Sequence, residues 1–510
     1  MKKVAIFLLF VFFIFSVSLQ EAIKISENWV KFINAEYGNL GIFRVSRMPL
    51  MRLNYPQRWR WRLIKTEPIK WKGEKVAFIS KLFPSGYILV ANTKVLNPIK
   101  MYSPWGEFNP KKVGFQRDVL RFLYRVIIYK KKAQLKPSFQ IALKWEFLSQ
   151  ADEKMIIAAS QTQEVFGPIV ETRWAQSYPY NKFTPKIGNT RTPVGCVAVA
   201  FAQVMRFWHW PWRGRGSHSY YWYTGKKTLS ANFDHDYLWD KMPTTLRGAS
   251  DEEINQVARL LSDVGIALEM EYDVGGSGTY IWNGVDAMPK FFRYSNSIDE
   301  LWRCTRWAYS STKGWYCLPG GLKDANTWYK ELRREIEQFE PFVFAIYSVD
   351  VGHAVVVDGY KSTDAGNFVH INMGWGGSSD AFYGVDHILD FTDLQWQHAV
   401  INQVPEELPP KPRAVQIFRK VNRGVFVKEY WDEIHWQPPA SGTVGIKGYV
   451  VLRYDPDTGF VDYLGSVNKG AELVYRVKVG GTSRNYKYAV LCVSEKGAYG
   501  KPSSFVQPQK

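Results

Sequence analysis

The stretch Thr192-Pro-Val-Gly-Cys-Val-Ala-Val-Ala-Phe-Ala-Gln-Val-Met-Arg-Phe-Trp208 decides the fold. Pro193 and Gly195 predict a turn, and the apolar run from Val197 to Trp208 predicts a buried helix that begins at Cys196. A helix N-terminus with a protonated histidine nearby lowers a cysteine pKa from about 8.5 to roughly 3.5–7.5. We therefore interpret Cys196 as a nucleophilic thiolate. The alternative is a small buried hydrophobe, the commoner role of a free cysteine.

Three other residues complete a set suited to acyl transfer. His353 opens a β-branched strand, and we expect its ring to project toward Cys196. Asn372 ends the next strand, where its amide is expected to orient that ring. Gln176 lies 20 residues before the cysteine and offers an amide donor to an oxyanion. Each has a commoner structural role, and other histidines compete with His353, namely His209, His218, His235, His370 and His387.

Composition limits the partners and cofactors. At 46% hydrophobic and 22% charged residues the chain is globular, and 510 residues predict two to four domains. The net charge of +19 is spread along the chain without a nucleic-acid motif, so we expect no nucleic-acid partner and prefer a solvated basic surface. The four cysteines lack metal-ligand spacing, and we expect no metal and no cofactor. A bridge between Cys304 and Cys317 is one option, and it leaves Cys196 unpaired.

The N-terminal sequence indicates export. Lys2 and Lys3 precede an apolar run that ends in small residues, which predicts a signal peptide over residues 1–18 and a secreted protein, extracellular or in the cell envelope. A membrane anchor is the alternative, but the run is short for a spanning helix, and no membrane span is expected in the mature form. Helical and strand-like runs over residues 19–155 predict an α+β module at the usual position of an inhibitory propeptide. An ordinary N-terminal domain is the alternative.

The remaining chain divides at a proline-rich segment. Residues 156–404 contain the candidate catalytic set. Residues 405–412, Pro-Glu-Glu-Leu-Pro-Pro-Lys-Pro, predict a stiff linker. Short alternating strands over residues 413–510 predict a β-sandwich, in which Cys492 is a core residue.

Together these residues resemble the streptopain-type cysteine peptidases, which have a papain-like fold. The resemblance rests on Trp174-Ala-Gln, Pro179-Tyr-Asn181, Pro193-Val-Gly-Cys-Val-Ala198, Gly216-Ser-His-Ser219, Gly352-His-Ala354, His370-Ile-Asn372 and Gly374-Trp-Gly-Gly377. It implies an α+β fold with a central helix packed on an antiparallel β-sheet, between an N-terminal α+β propeptide and a C-terminal β-sandwich. Residues 413–510 are similar to a fibronectin type III domain, through Trp436, Tyr486 and the closing segment from Gly497 to Ser503.

The resemblance also implies roles for individual residues. Cys196 would be the nucleophile, His353 the general base and acid, and Gln176 the oxyanion donor. The other implied positions are supports of the histidine and residues that line the substrate cleft: Asn372 and Trp375, then Ser277 and Gly278. Met373 stands where the family usually has a tryptophan, which leaves the shielding of the histidine open.

The sequence as a whole predicts a secreted cysteine endopeptidase made as a zymogen. Its partners would be polypeptide substrates, and its own propeptide would be the inhibitor. Two alternatives remain. One is a catalytically inactive adhesion protein whose C-terminal domain binds a cell-surface polymer. The other is an amidase or transglutaminase that acts on wall peptides.

Overall fold

The computed structural model describes most of the chain from residue 16 onward. The described ranges are 16–37, 60–104, 107–108, 119–120, 123–125, 127–128, 136–137, 139–150, 162–312, 314–348, 351–363, 366–423, 428–440, 442, 444–480 and 484–509. Of the predicted signal peptide, residues 1–15 lie outside the described residues, as does the segment 151–161 around the predicted propeptide boundary. Within the described part, no helix combines the length and apolarity that crossing a membrane requires.

The N-terminal module packs helices on a small antiparallel sheet, and residues 119–120, 123–125 and 127–128 are also helical. Its elements are α1 (Leu19–Tyr37), β1 (Arg62–Trp71), β2 (Glu74–Phe83), β3 (Tyr87–Ala91), β4 (Ile99–Ser103) and α2 (Phe139–Gln150), with the strands in chain order in the sheet. Helix α1 begins with a reciprocal cap, because the Glu21 N–H donates to Ser18 Oγ and the Ser18 N–H donates to the Glu21 carboxylate. Ile25 and Ile33 of α1 are fully buried against the sheet.

The central region is built around one antiparallel sheet whose strands differ in length. Its strands are β5 (Thr162–Phe166), β10 (Asp299–Trp302), β13 (Phe342–Tyr347), β14 (Gly352–Thr363), β15 (Gly366–Asn372), β16 (Ala381–Tyr383) and β17 (His398–Ile401). They lie in the order β10-β17-β13-β14-β15-β16, and β5 pairs with the distal half of β14. Outside this sheet lie three hairpins: β6 (Lys186–Ile187) with β7 (Thr190–Arg191), β8 (Ser217–Trp222) with β9 (Lys227–Asn232), and β11 (Trp307–Ser310) with β12 (Gly314–Cys317).

Four helices accompany this sheet, and one of them is central. They are α3 (Cys196–Trp208), α4 (Asp251–Ala267), α5 (Asn283–Phe292) and α6 (Ala325–Glu337). Helix α3 packs on β13 and β14, and nearly all of its side chains are buried. This is the helix that the apolar run predicts, and its first residue is the expected one, Cys196. The predicted α+β fold with a central helix on an antiparallel sheet is confirmed.

The two faces of the central sheet bury different partners. Successive strand residues point to opposite faces. Val343 and Val356, paired on β13 and β14, belong to the core around α3. Phe344 and Val355, the neighbouring pair, belong to a core shared with α6 and the N-terminal module. The sheet is therefore the common wall of two hydrophobic cores.

Residues 413–494 form the predicted β-sandwich. Its strands are β18 (Arg413–Arg423), β19 (Lys428–Gln437), β20 (Ile446–Tyr454), β21 (Val461–Asn468), β22 (Val474–Gly480) and β23 (Lys487–Ser494). They make two three-stranded sheets, β18-β19-β22 and β21-β20-β23. Trp436 and Cys492 are buried between them, and burial raises the pKa of the Cys492 thiol to about 12. Cys492 is thus an unreactive core residue, as expected.

Hydrogen bonds of the backbone and of side chains join the linker and the sandwich to the central region. The Tyr499 N–H donates to the Trp208 carbonyl at the end of α3 over 2.9 Å. The Gly167 N–H, just after β5, donates to the Gly459 carbonyl over 2.9 Å. In the linker, Glu406 accepts from Arg215 at 3.1 Å. The linker and sandwich therefore lie against the central region at several separate points.

Candidate active site

A glycine turn presents Cys196 at the start of α3. Gly195 has a φ of +94°, and a Cβ there would lie 2.6 Å from Met270 Sδ. The positive φ favours glycine at this position, and a larger residue would also have to displace the end of the Met270 side chain. Ser277 supports the same turn, because its Oγ donates to the Pro193 carbonyl over 2.8 Å. Cys196 is half-buried in this setting, and it is one of two free cysteines among the described residues.

The electrostatic setting of the Cys196 sulfur differs from the expectation. Burial raises the pKa of the thiol, although the backbone N–H groups of Ala354, Val197 and Cys196 face the sulfur and oppose that rise. The prediction of a lowered pKa is therefore wrong for this state of the chain. Removing the sulfur from water disfavours the thiolate more than the helix N-terminus stabilises it.

His353 lies at the start of β14, next to Ala354. Its Nε2 is 3.0 Å from the Met373 carbonyl oxygen. A carbonyl only accepts hydrogen bonds, so Nε2 carries the proton and Nδ1 carries the lone pair. Burial lowers the pKa of His353 to about 4, and the bond to Met373 partly offsets this. The imidazole is therefore neutral at pH 7 in this state.

Two aromatic rings cover the imidazole. Trp375 stacks on His353 with ring centroids 4.7 Å apart and planes inclined by 27°. Phe391 stacks on it at 5.8 Å and 20°. The side chain of Met373 is itself fully buried in the core shared with the N-terminal module. Trp375 and Phe391 thus shield the ring although Met373 replaces the usual tryptophan.

Asn372 does not hydrogen-bond the His353 ring, which corrects the expected arrangement. Its Nδ2 donates to the Thr172 carbonyl at 2.7 Å, and its Oδ1 accepts from Gln203 Nε2 at 3.1 Å. Asn372 pairs with Val356, so its side chain lies on the α3 face of the sheet. The contacts of the His353 ring are with the Met373 carbonyl, Trp375 and Phe391 instead. The backbone of Met373 takes the place of the expected amide.

Side chains hold the peptide groups on both sides of Met373. The Met373 N–H donates to Asp380 Oδ1 over 2.8 Å. The Gly374 N–H donates to Asn372 Oδ1 over 3.0 Å. Burial raises the pKa of Asp380 to about 6, with lowering contributions from His370 and Arg173. Asp380 was missed by sequence reasoning, since a carboxylate in a Ser-Ser-Asp loop carries no distinguishing pattern.

Gln176 and Gly278 lie at the rim of the same site. The Gln176 carbonyl accepts from the Val194 N–H at 2.9 Å, which places Gln176 beside the turn before Cys196. Gly278 is exposed, and no atom lies within 4 Å of the position of a Cβ there. It exchanges both backbone hydrogen bonds with Glu271, at 2.9 and 3.1 Å. Open space therefore adjoins the Gly278 backbone on the side of its missing side chain.

The N-terminal module contacts both loops that carry the covering rings. On the loop that follows Trp375, Ser379 N–H donates to the Tyr102 carbonyl over 2.7 Å, and Tyr87 donates to Ser378 Oγ over 2.9 Å. On the loop before Phe391, Asn97 Nδ2 donates to Asp390 Oδ1 over 2.8 Å, and Lys100 forms an ion pair with Asp390. The module thus holds the surroundings of His353 from one side.

A disulfide joins Cys304 and Cys317. The pairing that the sequence left open is therefore formed. It lies at the base of the hairpin β11–β12, in which Trp307 pairs with Cys317 and Tyr309 pairs with Trp315.

The central helix begins at a cysteine and a buried histidine lies near the start of the neighbouring strand, which is the arrangement expected of a papain-like cysteine peptidase. Residues 174–383 match the model of the Peptidase C10 family, which supports a cysteine peptidase domain in this part of the chain. The chain is 33% identical over 229 residues to the thiol protease/hemagglutinin PrtT of Porphyromonas gingivalis. That alignment covers 42% of this chain and 24% of PrtT, so the chain matches about a quarter of that protein.

Other relatives cover more of the chain. Streptopain of Streptococcus pyogenes serotype M1 is 23% identical over 351 residues, covering 63% of this chain and 78% of streptopain. A fragment of prointerpain A from Prevotella intermedia has a TM-score of 0.43 at 23% identity, covering 66% of this chain and 98% of the fragment. Active interpain A of the same organism has a TM-score of 0.40 at 28% identity, covering 48% and 96% of the two chains.

Proposed function

We propose that the chain is a secreted cysteine endopeptidase made as an inactive precursor, with Cys196 and His353 as the catalytic pair. One observation carries the proposal. The Cys196 sulfur faces the N–H of Ala354, the residue after His353, and the Nε2–H of His353 is committed to the Met373 carbonyl. The Nδ1 lone pair is then the one left to accept the thiol proton.

The chemistry follows from this tautomer. His353 Nδ1 takes the thiol proton, and the Cys196 sulfur attacks the carbonyl carbon of the scissile peptide bond. The amide of Gln176 and a backbone N–H at the α3 N-terminus hold the resulting oxyanion, and losing one such donor typically costs about 10²–10³ in rate. His353 returns its proton to the leaving amine as the C–N bond breaks. It then deprotonates a water molecule that releases the acyl group and restores the thiol.

We propose that residues 19–155 are the inhibitory propeptide. Two observations support this: the contacts of the N-terminal module with the loops around Trp375 and Phe391, and the neutral state that burial favours for both catalytic groups. Strand β5 pairs with β14 of the peptidase sheet, so we place the cleavage before Thr162. Release of the module would give water access to the pair and bring the two pKa values closer to neutrality.

The test compares matched cysteine variants of the full chain. Cys196→Ala should accumulate as an uncut precursor without casein-degrading activity, whereas the wild-type chain should convert and cleave casein. Cys492→Ala removes the other free cysteine, buried in the sandwich, and should retain both properties. Full caseinolytic activity in Cys196→Ala would falsify the mechanism. Sequencing the N-terminus of the secreted product would test export and the proposed boundary together.

A further inference from the structure

An aromatic strip leads from the candidate active site to an exposed hairpin. We define it as Tyr347, Trp396, Trp307, Tyr309 and Trp315. The ring centroids of Tyr347 and Trp396 are 6.4 Å apart, and those of Trp396 and Trp307 are 4.6 Å apart. Tyr309 and Trp315 face each other at 5.5 Å on the hairpin. Neighbouring rings in each of these pairs are within the contact distance of aromatic side chains.

The near end of the aromatic strip borders the catalytic pair. Tyr347 pairs with Gly352, the residue before His353, and its ring lies 2.7 Å from the position of a Cβ on Gly352. Burial raises the pKa of Tyr347 to about 12, and the negative charge of the nearby Cys196 sulfur in its thiolate form contributes to the rise. A polypeptide bound at Cys196 therefore has the aromatic strip directly beside it.

The far end of the aromatic strip is rigid and exposed. Trp307 and Tyr309 are two residues apart on β11, and Trp315 is opposite Tyr309 on β12, so their side chains share one face of the hairpin. The Cys304–Cys317 disulfide and a 3.0 Å hydrogen bond from the Cys317 N–H to Gln395 Oε1 fasten the base of the hairpin. Tyr309 is 64% exposed and Trp315 is 58% exposed.

We propose that the aromatic strip is an exosite that holds an extended, aromatic-containing stretch of the polypeptide substrate several residues away from the scissile bond. The proposal rests on the proposed function, because that function supplies the occupant. Rigid aromatic rings provide large contact area at low cost in side-chain entropy. An extended chain advances about 3.3 Å per residue, so the ring-to-ring steps of 6.4 and 4.6 Å each correspond to roughly one or two substrate residues.

A binding experiment without turnover tests the exosite directly. Cys196→Ala protein with a site-specific protease sequence inserted in the segment 151–161 is cut to release the N-terminal module. It is then titrated into a fluorescein-labelled, aromatic-containing peptide of about twelve residues, roughly 40 Å long when extended, and anisotropy is measured. Adding Tyr309→Ala and Trp315→Ala should raise Kd about tenfold, the loss expected when two stacking contacts disappear. An unchanged Kd overturns the proposal. Circular dichroism and thermal melting verify that the variant is folded.

The chain offers a matched control on another hairpin, β8–β9. Tyr221 and Tyr223 are 50% and 75% exposed, and their ring centroids are 5.1 Å apart. Tyr221→Ala with Tyr223→Ala should leave Kd unchanged. An equal rise in Kd for both double variants would mean that any exposed aromatic pair contributes, which contradicts a specific exosite. Binding to peptidoglycan is measured for the same Tyr309→Ala and Trp315→Ala protein. If this binding is lost while the peptide Kd stays constant, the aromatic strip binds a glycan and the proposal is overturned.

Kinetics separate this proposal from the proposed function. With Cys196 intact, Tyr309→Ala and Trp315→Ala should leave kcat/KM for a fluorogenic substrate of about three residues unchanged, because so short a chain stays next to Cys196. The KM for the longer peptide should rise about tenfold. Equal losses on both substrates would show that the hairpin supports the fold of the catalytic centre instead. Absence of any cleavage by the wild-type chain contradicts the proposed function, while the binding experiment still tests the exosite.

Discussion

His353 donates its Nε2–H to the main-chain carbonyl of Met373, 3.0 Å away. The orientation of the proposed general base thus depends on a backbone atom, and the backbone is held by side chains on both sides, Asp380 and Asn372. Residue 373 orients His353 through its main-chain carbonyl, so the type of side chain at this position does not determine the contact. The ring is therefore oriented by the backbone around Met373 rather than by the side-chain amide of Asn372.

Met373→Leu should keep caseinolytic activity within about threefold of the wild type. The carbonyl that accepts from His353 is unchanged, and a volume-conserving substitution in a buried position usually costs less than about 1.5 kcal/mol. Activity and the denaturant midpoint of unfolding check this. A loss of activity by two or more orders of magnitude in a folded Met373→Leu protein would contradict backbone orientation of the ring.

Asp380→Ala should lower kcat about tenfold or more and leave KM nearly constant. The Met373 N–H loses its acceptor, and the peptide group that orients His353 is then free to rotate; a buried donor without a partner costs about 1–3 kcal/mol. Asp380→Asn keeps an oxygen acceptor and should recover most of the rate. Steady-state kinetics with a short substrate measure both constants. If the asparagine variant is as impaired as the alanine variant, the hydrogen bond to Met373 is not the reason.

Acidification should destabilise the precursor through His353. The pKa of this histidine is about 4 in the folded chain and about 6.5 when unfolded, so between these values the unfolded chain binds more protons. Stability is therefore lost as pH falls from 6.5 toward 4, by at most about 3 kcal/mol. Asp380 acts in the opposite direction, because its pKa is raised to about 6 and its protonated form is favoured by folding.

The comparison with His353→Gln isolates this contribution, since Asp380 is common to both proteins. Urea unfolding of the two precursors, each made with Cys196→Ala, should show a smaller loss of stability in the glutamine variant between pH 6.5 and 4. Identical pH dependence in the two proteins would mean that the folded-state pKa of His353 is not lowered.

Lys100→Met should speed conversion of the precursor. Lys100 is nearly fully buried and forms an ion pair with Asp390, beside the loop that carries Phe391. Removing one partner of a buried pair costs about 3 kcal/mol or more, and here the cost falls on the docking of the N-terminal module. A gel time course of processing measures the effect. Lys65→Met is a suitable control, because Lys65 is exposed and pairs with Glu67 inside the module. Equal acceleration in both variants would argue against a docking role for Lys100.

Much of this architecture follows from local patterns. The turn at Gly195 and the apolar run behind it predict α3 and its first residue, and the β-branched run after Gly352 predicts β14. Alternating strands after the proline-rich linker predict the sandwich. These elements were predictable because each depends on a periodicity or a turn residue within a few positions.

The expectations that were wrong, a contact of Asn372 with His353 and a lowered pKa of Cys196, concern features that no local pattern specifies. The face on which Asn372 lies depends on its pairing with Val356, a register between strands that no local pattern specifies. The role of Met373 is carried by its carbonyl, which every residue has. The raised pKa of Cys196 results from packing that removes the sulfur from water, including contacts with parts of the chain distant in sequence. A hydrogen bond to a backbone carbonyl and the burial of a side chain can occur with many residue types, so the sequence does not reveal them.

The central sheet has one further consequence, for biosynthesis. One of its faces shares a hydrophobic core with the N-terminal module, so a peptidase translated without that module would begin with Met373, Tyr383 and their neighbours facing water. Exposed apolar strand surface promotes self-association of newly made chains. The module is thus expected to act as a covalently attached chaperone while it remains joined to the peptidase. The proposed cleavage would remove this template, so we expect the separated peptidase to refold less efficiently than the uncut chain.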